Sequence, residues 1–245
     1  MKKMLLLCGA ILAVSATVAS AAGVNIAWDA CLGDAGTALR TSACTANTNT
    51  PTNSNVLICS FISAGDIPLF NSAECFVNVA TQVPLPAWWS NPCVSKTAVA
   101  ASFGSPCTND AFAGAGSGGV AAYNVATVWD NGFKPDPNGG EIDIVGAVPA
   151  GNEQILTAGL EYYVGTITIS NVKSSGTGLC AGCAEPACIN FKQLRITQPP
   201  PAPVQDILVG DHQPIVYWQS QVTAACSHAT PTKNATWGSI KSLYR

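Results

Sequence analysis

The chain has 245 residues, 48% of them apolar and only 10% charged, and its formal net charge is −3. That charged share is well below the roughly 25% usual in soluble domains, and it offers no basic surface to nucleic acid or to an anionic membrane. Twenty-two Gly and 16 Pro residues, with many Asn and Thr, favour short strands and turns over long helices.

The N-terminus has the three-part layout of a secretory signal. Lys2 and Lys3 form a positive start, residues 4–18 are apolar or small, and Ala19-Ser20-Ala21 is a small-x-small cleavage site. Residues 1–21 are therefore expected to be a signal peptide, and the apolar run is short for a spanning helix. Cys8 lies too near the start for a lipoprotein site. Cleavage after Ala21 leaves 224 residues and, without the two lysines, a formal charge of −5. No later stretch is apolar enough to span a bilayer. The expected destination is the cell exterior or the cell surface, with the periplasm as an alternative.

Eight strands are expected in the remainder: 24–28, 55–63, 73–81, 119–129, 141–148, 161–170, 187–197 and 214–219. Each is rich in Val, Ile, Thr and aromatic residues and is bounded by Gly, Pro, Asn or Ser. Between Tyr163 and Ile169 apolar positions alternate with period two, as in a strand with one buried face. In 187–197, Ile189 and Phe191 share one parity while Leu194 and Ile196 take the other, a phase change that predicts a β-bulge. The pattern implies a mainly β fold, an antiparallel sandwich of immunoglobulin, cohesin or jelly-roll type. Residues 45–55 read as a polar loop and 114–119 as a flexible turn.

The sandwich is assigned to residues 22–197. Residues 198–203 (QPPPAP) are expected to be a stiff polyproline linker. The tail, 204–245, is too short to fold alone and is expected to dock on the body, with 214–219 packing on it or adding to a sheet edge. Trp237, Ile240, Leu243 and Tyr244 would share one face of a terminal helix capped by Asn234 or Thr236, serving docking or sorting.

Without Cys8, ten cysteines remain: Cys31, Cys44, Cys59, Cys75, Cys93, Cys107, Cys180, Cys183, Cys188 and Cys226. An even set in an exported chain predicts a disulfide framework. Sequence does not fix the pairing. Short-loop closure favours Cys31–Cys44, Cys59–Cys75 and Cys93–Cys107. Cys226 is expected to staple the tail to Cys180, Cys183 or Cys188.

Gly176-Thr-Gly-Leu-Cys180-Ala-Gly-Cys183 through Cys188, followed by a strand and a Pro-rich turn, resembles a group of exported bacterial Cys-rich β proteins with no assigned activity. So does the tail, Thr236-Trp237-Gly238 with Lys241 and Leu243-Tyr244-Arg245, its most specific element. The resemblance also covers the export signal, Trp28 and the Trp88-Trp89 pair. It implies an exported β-rich protein and assigns no site residues.

Candidate chemistry is sparse. Ser117 lies in Gly-rich sequence, but the two histidines, His212 and His228, both follow it, and Ala115 breaks the Gly-x-Ser-x-Gly elbow. Cys180, Cys183, Cys188 and Cys226 have spacing compatible with zinc, yet an oxidising compartment favours disulfides. Asp130, Asp136, Asn138 and Asp143 place oxygen ligands around glycines, which makes calcium the one candidate cofactor. A plain hairpin turn explains Pro137-Asn138-Gly139-Gly140 equally. Trp88, Trp89 and Trp129 are candidate sugar platforms if exposed, and core residues if not.

Three functions are therefore expected, in this order: a secreted or cell-surface structural or binding module without catalysis; a calcium-dependent glycan-binding or adhesion module; and a hydrolase using Asp130 and Asp143 as paired carboxylates. Surface glycans and export or assembly machinery are the corresponding partners.

Overall fold

The computed structural model describes residues 22–45, 47, 55–89, 99–102, 106–113, 118–125, 138–208 and 212–229. They form a mainly β protein in which two sheets pack face to face. The first sheet contains β1 (Gly23–Trp28), β3 (Asn55–Ile62), β10 (Glu161–Ile169) and β6 (Val99–Ser102), in the order β1-β3-β10-β6. The second contains β2 (Leu39–Arg40), β13 (Ile215–Trp218), β11 (Ala187–Thr197), β5 (Ser72–Thr81), β8 (Gly139–Ala147) and β7 (Gly118–Val125), in that order. A further strand, β12 (Gln205–Leu208), pairs with β11. β4 (Ile67–Phe70) and β9 (Gln154–Leu156) form a separate pair. All pairings are antiparallel except that of β2 with β13.

Strand alternation puts one side-chain set of each sheet into the core. Val24, Ile26, Leu57, Cys59, Phe61 and Ile167 come from the first sheet. Cys75, Val77, Val79, Ile142, Ile144, Ile189, Phe191, Leu194 and Ile196 come from the second. The expected phase change in β11 is a register shift between Phe191 and Gln193 against β5, which returns Leu194 and Ile196 to the core face. A second shift, between Tyr163 and Gly165 of β10, was not foreseen.

The strand β10 is also buried on both faces, where its alternation predicted one. The segment 106–113 runs alongside it in the plane of the sheet: Tyr163 donates its N–H to Asn109 O at 3.0 Å, and Ala111 N–H donates to Tyr163 O at 3.1 Å, a parallel bridge between Asp110 and Tyr163. Ala111 and Phe112 are buried there, and Phe112 meets Phe70 edge-on at 5.3 Å.

The proline run differs from its expected form. Residues 198–203 are a turn, closed in part by Ala202 N–H donating to Pro199 O at 3.2 Å, not an extended spacer. Pro199, Pro200 and Pro201 carry no N–H, so Ala202 is the first residue after Gln198 able to close it. The chain then returns along β11 as β12 and β13, so Gln205–Leu208 and Ile215–Trp218 belong to the second sheet. A short helix, α1 (Thr223–Ala229), follows β13. The helix expected at 236–245, with Trp237, Ile240, Leu243 and Tyr244, lies outside the described residues, as does the signal segment 1–21. Gly118 and Gly119, assigned to a turn, begin β7.

The disulfides join Cys31 to Cys107, Cys44 to Cys183 and Cys188 to Cys226. Cys180 is also disulfide-bonded. The short-loop pairs Cys31–Cys44 and Cys93–Cys107 are thus corrected, since both Cys31 and Cys44 have distant partners and Cys107 is bonded to Cys31. Cys93 lies outside the described residues. Cys59 and Cys75 are free, buried thiols, so the third short-loop pair, Cys59–Cys75, is not closed in this structure either. The closure argument failed because its cost grows slowly, by about 0.6 kcal/mol per doubling of loop length. Sheet order therefore outweighs proximity in sequence. Cys226 does staple the C-terminal segment, through Cys188 on the outer face of β11.

Candidate functional site

Among the described residues, three places gather chemistry-bearing side chains. The first is an indole cluster at one end of the sandwich. Trp28 ends β1, Trp218 ends β13, and Trp88 and Trp89 lie in a 3-10 turn, Ala87–Trp89. Trp88 stacks on Trp218 at 5.1 Å, while Trp89 stands edge-on to Trp88 at 4.7 Å and to Trp218 at 5.6 Å. Trp218 Nε1 donates to Cys183 O at 2.7 Å, Trp28 Nε1 to Tyr217 O at 3.2 Å, and Trp88 Nε1 to Ser174 Oγ at 3.3 Å. Trp88 and Trp89 are 2% and 0% exposed. Their rings face other indoles, so neither is a platform for a sugar. That corrects the binding assignment for both, and Trp129 lies outside the described residues.

The loop Cys180–Cys183 closes over this cluster. Trp88 N–H donates to Ala181 O at 2.9 Å. Gly182 has φ +105°, and a Cβ there would collide with Pro86, so only glycine allows the two segments to meet. Gln219 ties the same corner to the segment before Cys44: its Nε2 donates to Ser42 O and to Cys183 O, and its Oε1 accepts from Ser42 N–H. Zinc ligation by Cys180, Cys183, Cys188 and Cys226 is excluded in this state, because all four sulfurs are in disulfides.

The second place surrounds Glu161, at the start of β10. Its Oε1 accepts from Asn25 Nδ2 at 2.9 Å and Ser60 Oγ at 2.6 Å, and its Oε2 accepts from Gly33 N–H at 2.7 Å. One carboxylate thus joins β1, β3, β10 and the 3-10 turn Leu32–Asp34. Sequence reading passed over this residue, which differs from any strand-initial Glu only in its partners. Nearby, Asp34 accepts from Thr108 N–H at 2.9 Å and Thr108 Oγ1 at 2.8 Å, bonds that hold its carboxyl below the ordinary range. Asp34 also lies within 4.8 Å of Cys31 and Cys107 sulfurs. Those sulfurs are bonded to each other, so the group is a covalent corner and not a metal seat.

The third place is the outer face of the second sheet. Glu141 and Asp143 of β8 project on the side away from the core, next to Glu74, Phe76 and Asn78 of β5 by register. Glu141 pairs with Lys192 at 3.6 Å and Glu74 with Arg195 at 3.1 Å, and the Arg195 guanidinium lies 5.6 Å from the Phe76 ring centre. Asp143 differs: its Oδ1 is buried with no hydrogen-bond partner. Burial, then the charges of Glu141 and Glu74, push its pKa from 3.8 to about 6, against a smaller opposing pull from Lys192. It is a carboxyl poised to take up a proton near neutral pH.

Two members of the calcium set, Asn138 and Asp143, do not converge. Asn138 closes the end of the β5–β8 pair: its carbonyl accepts from Thr81 N–H at 3.0 Å, and its Nδ2 donates to Gln82 O at 3.5 Å. Asp143 is five residues further along an extended strand, about 17 Å away at roughly 3.4 Å per residue. A strand cannot wrap one ion between those two residues. Asp130 and Asp136 lie outside the described residues. No family model, curated protein or solved structure matches the chain.

Proposed function

We propose that this chain is an exported structural or binding module of the cell surface or exterior, working without catalysis. The observation that carries the reading is the placement of its cross-links. They join segments 76, 139 and 38 residues apart, tying the loop before Thr108, the indole corner and α1 to one sandwich. Such a framework suits an oxidising compartment, and among the described residues no helix is long and apolar enough to cross a membrane. The signal-like residues 1–21 and the resemblance to exported bacterial β proteins support the same destination. Fractionating bacteria that express the full chain tests it. A processed chain beginning at Ala22, outside the cytoplasm and without reducible change in the three mapped bonds under non-reducing conditions, is expected. An unprocessed chain with free thiols in the cytoplasm overturns it. A glycan array with and without calcium then tests the binding role.

A second reading, a carboxylate hydrolase, draws support from Asp143, whose pKa near 6 suits a general acid. Turnover of chromogenic esters or glycosides, lost in Asp143→Asn, would favour it. Equal turnover in both proteins would reject it.

A further inference from the structure

Among the described residues two thiols, Cys59 and Cys75, stand outside the disulfide framework, at one level of the sandwich and on opposite sheets. Cys59 is in β3, where its register partners are Ile26 and Gly165. Cys75 is in β5, where its partners are Ile144 and Leu194. Partners in an antiparallel ladder project from the same face of their sheet. A Cβ placed on Gly165 would lie 3.5 Å from Ile144 Cγ2, so Gly165 faces Ile144 across the core. It follows that Cys59, beside Gly165, faces Cys75, beside Ile144.

The core is also thin under β10. Packed sheets ordinarily lie about 10 Å apart, yet Cα atoms of β10 come within 8 Å of Cα atoms in both β5 and β8. Gly165 is one point on β10 where no side chain separates the sheets. Both cysteines are fully buried. A thiolate on Cys59 would raise the pKa of Cys75, which is consistent with their sulfurs being neighbours.

We propose that Cys59 and Cys75 are the two halves of an inter-sheet disulfide that closes while the chain folds under oxidising conditions, and that the structure shows the reduced pair. The oxidant is a small or protein disulfide. The thiolate of one cysteine attacks it, forming a mixed disulfide and releasing one thiolate. The second cysteine's thiolate then attacks the protein-side sulfur, forming the Cys59–Cys75 bond and releasing the other thiolate. Two protein thiols are oxidised, the oxidant's disulfide is reduced to two thiols, and the two protons end on those leaving groups. Timing follows from burial: the attacking species is a thiolate, and once the sheets close, neither sulfur meets solvent. The bond therefore forms before the sandwich closes, or not at all on the folding timescale.

The test refolds the full chain, denatured and reduced, in a mixture of reduced and oxidised glutathione, then alkylates it and maps peptides without reduction. The expected product has the Cys59 peptide linked to the Cys75 peptide. Its thermal midpoint lies above that of the double variant Cys59→Ala/Cys75→Ala refolded in the same way. If that variant fails to fold, the wild-type map alone decides. Alkylation of both residues while Cys31–Cys107, Cys44–Cys183 and Cys188–Cys226 are closed overturns the proposal, as does pairing of either with another cysteine. Adding oxidised glutathione to the folded, reduced pair should leave both thiols in place, and linkage there as fast as during refolding would refute the timing. Because the refolding is done in vitro, its outcome is independent of where the cell delivers the chain.

Discussion

Asp143→Asn removes the one described carboxylate with a buried, unpartnered oxygen and a strongly raised pKa, and it should stabilise the protein above neutral pH. The folded-state pKa, about 6, lies above the unfolded value near 3.8, so the folded chain binds more protons between those limits. Stability from this group is therefore full below about pH 4, falls as pH rises to about 6, and stays low above it. A rise of that size corresponds to about 3 kcal/mol at full weight. The residue is only partly buried, and solvent screening reduces the expected effect to about 1–2 kcal/mol. Asparagine mimics the neutral carboxyl, so the variant should exceed the wild type by that amount at pH 8 and match it near pH 4. Urea unfolding of both proteins from pH 4 to 8 gives the difference directly. Asp34 and Glu153, whose carboxyls are held low by hydrogen bonds, titrate in both proteins and cancel. A difference that does not vary with pH, or a wild type that gains on the variant as pH rises, would show that Lys192 outweighs burial and refute the reasoning.

Glu161→Gln should cost about 1–3 kcal/mol in urea unfolding, because charge-assisted bonds from Gly33, Asn25 and Ser60 are weakened or left unmade. Trp218→Ala should cost about 3–5 kcal/mol and abolish most of the near-ultraviolet dichroism from indole coupling, since Trp218 touches the other three rings of the cluster. The double variant Cys188→Ser/Cys226→Ser should lose about 2–4 kcal/mol and be cut by trypsin or proteinase K after β13 before the sandwich is attacked. Simultaneous cleavage throughout would mean that α1 is not held by that bond.

Long strands were legible because their alternation runs over enough residues to show a period. All eight expected strands overlap β1, β3, β5, β7, β8, β10, β11 and β13. The bulge in β11 was legible too, because bulky side chains on both sides of it mark the change of parity. The shift in β10 was not, because Val164 and Gly165 offer no contrast between faces. β2, β4, β6, β9 and β12 have two to four residues each, too few for a period, and β12 follows prolines that read as a spacer. Trp88 and Trp89 are consecutive in a turn, where no alternation separates a core ring from an exposed one.

The same limit explains the site. A carboxylate's role depends on which donors reach it, and those donors come from distant parts of the chain: Glu161 takes them from positions 25, 33 and 60. In a chain with 14 acids, most of the described ones are matched, Glu161 by three donors, Asp34 by Thr108, Glu74 and Glu141 by cations. They act as latches between strands. Asp143 sits among two of those latches and shares neither cation as an ion-pair partner, and a folded chain keeps such a group at a cost in stability. The cost comes from burial and from the two neighbouring carboxylates, Glu141 and Glu74, and the nearby Lys192 only partly offsets it. The pH profile of the Asn variant measures that cost directly, because asparagine keeps the shape of the neutral carboxyl and removes its charge.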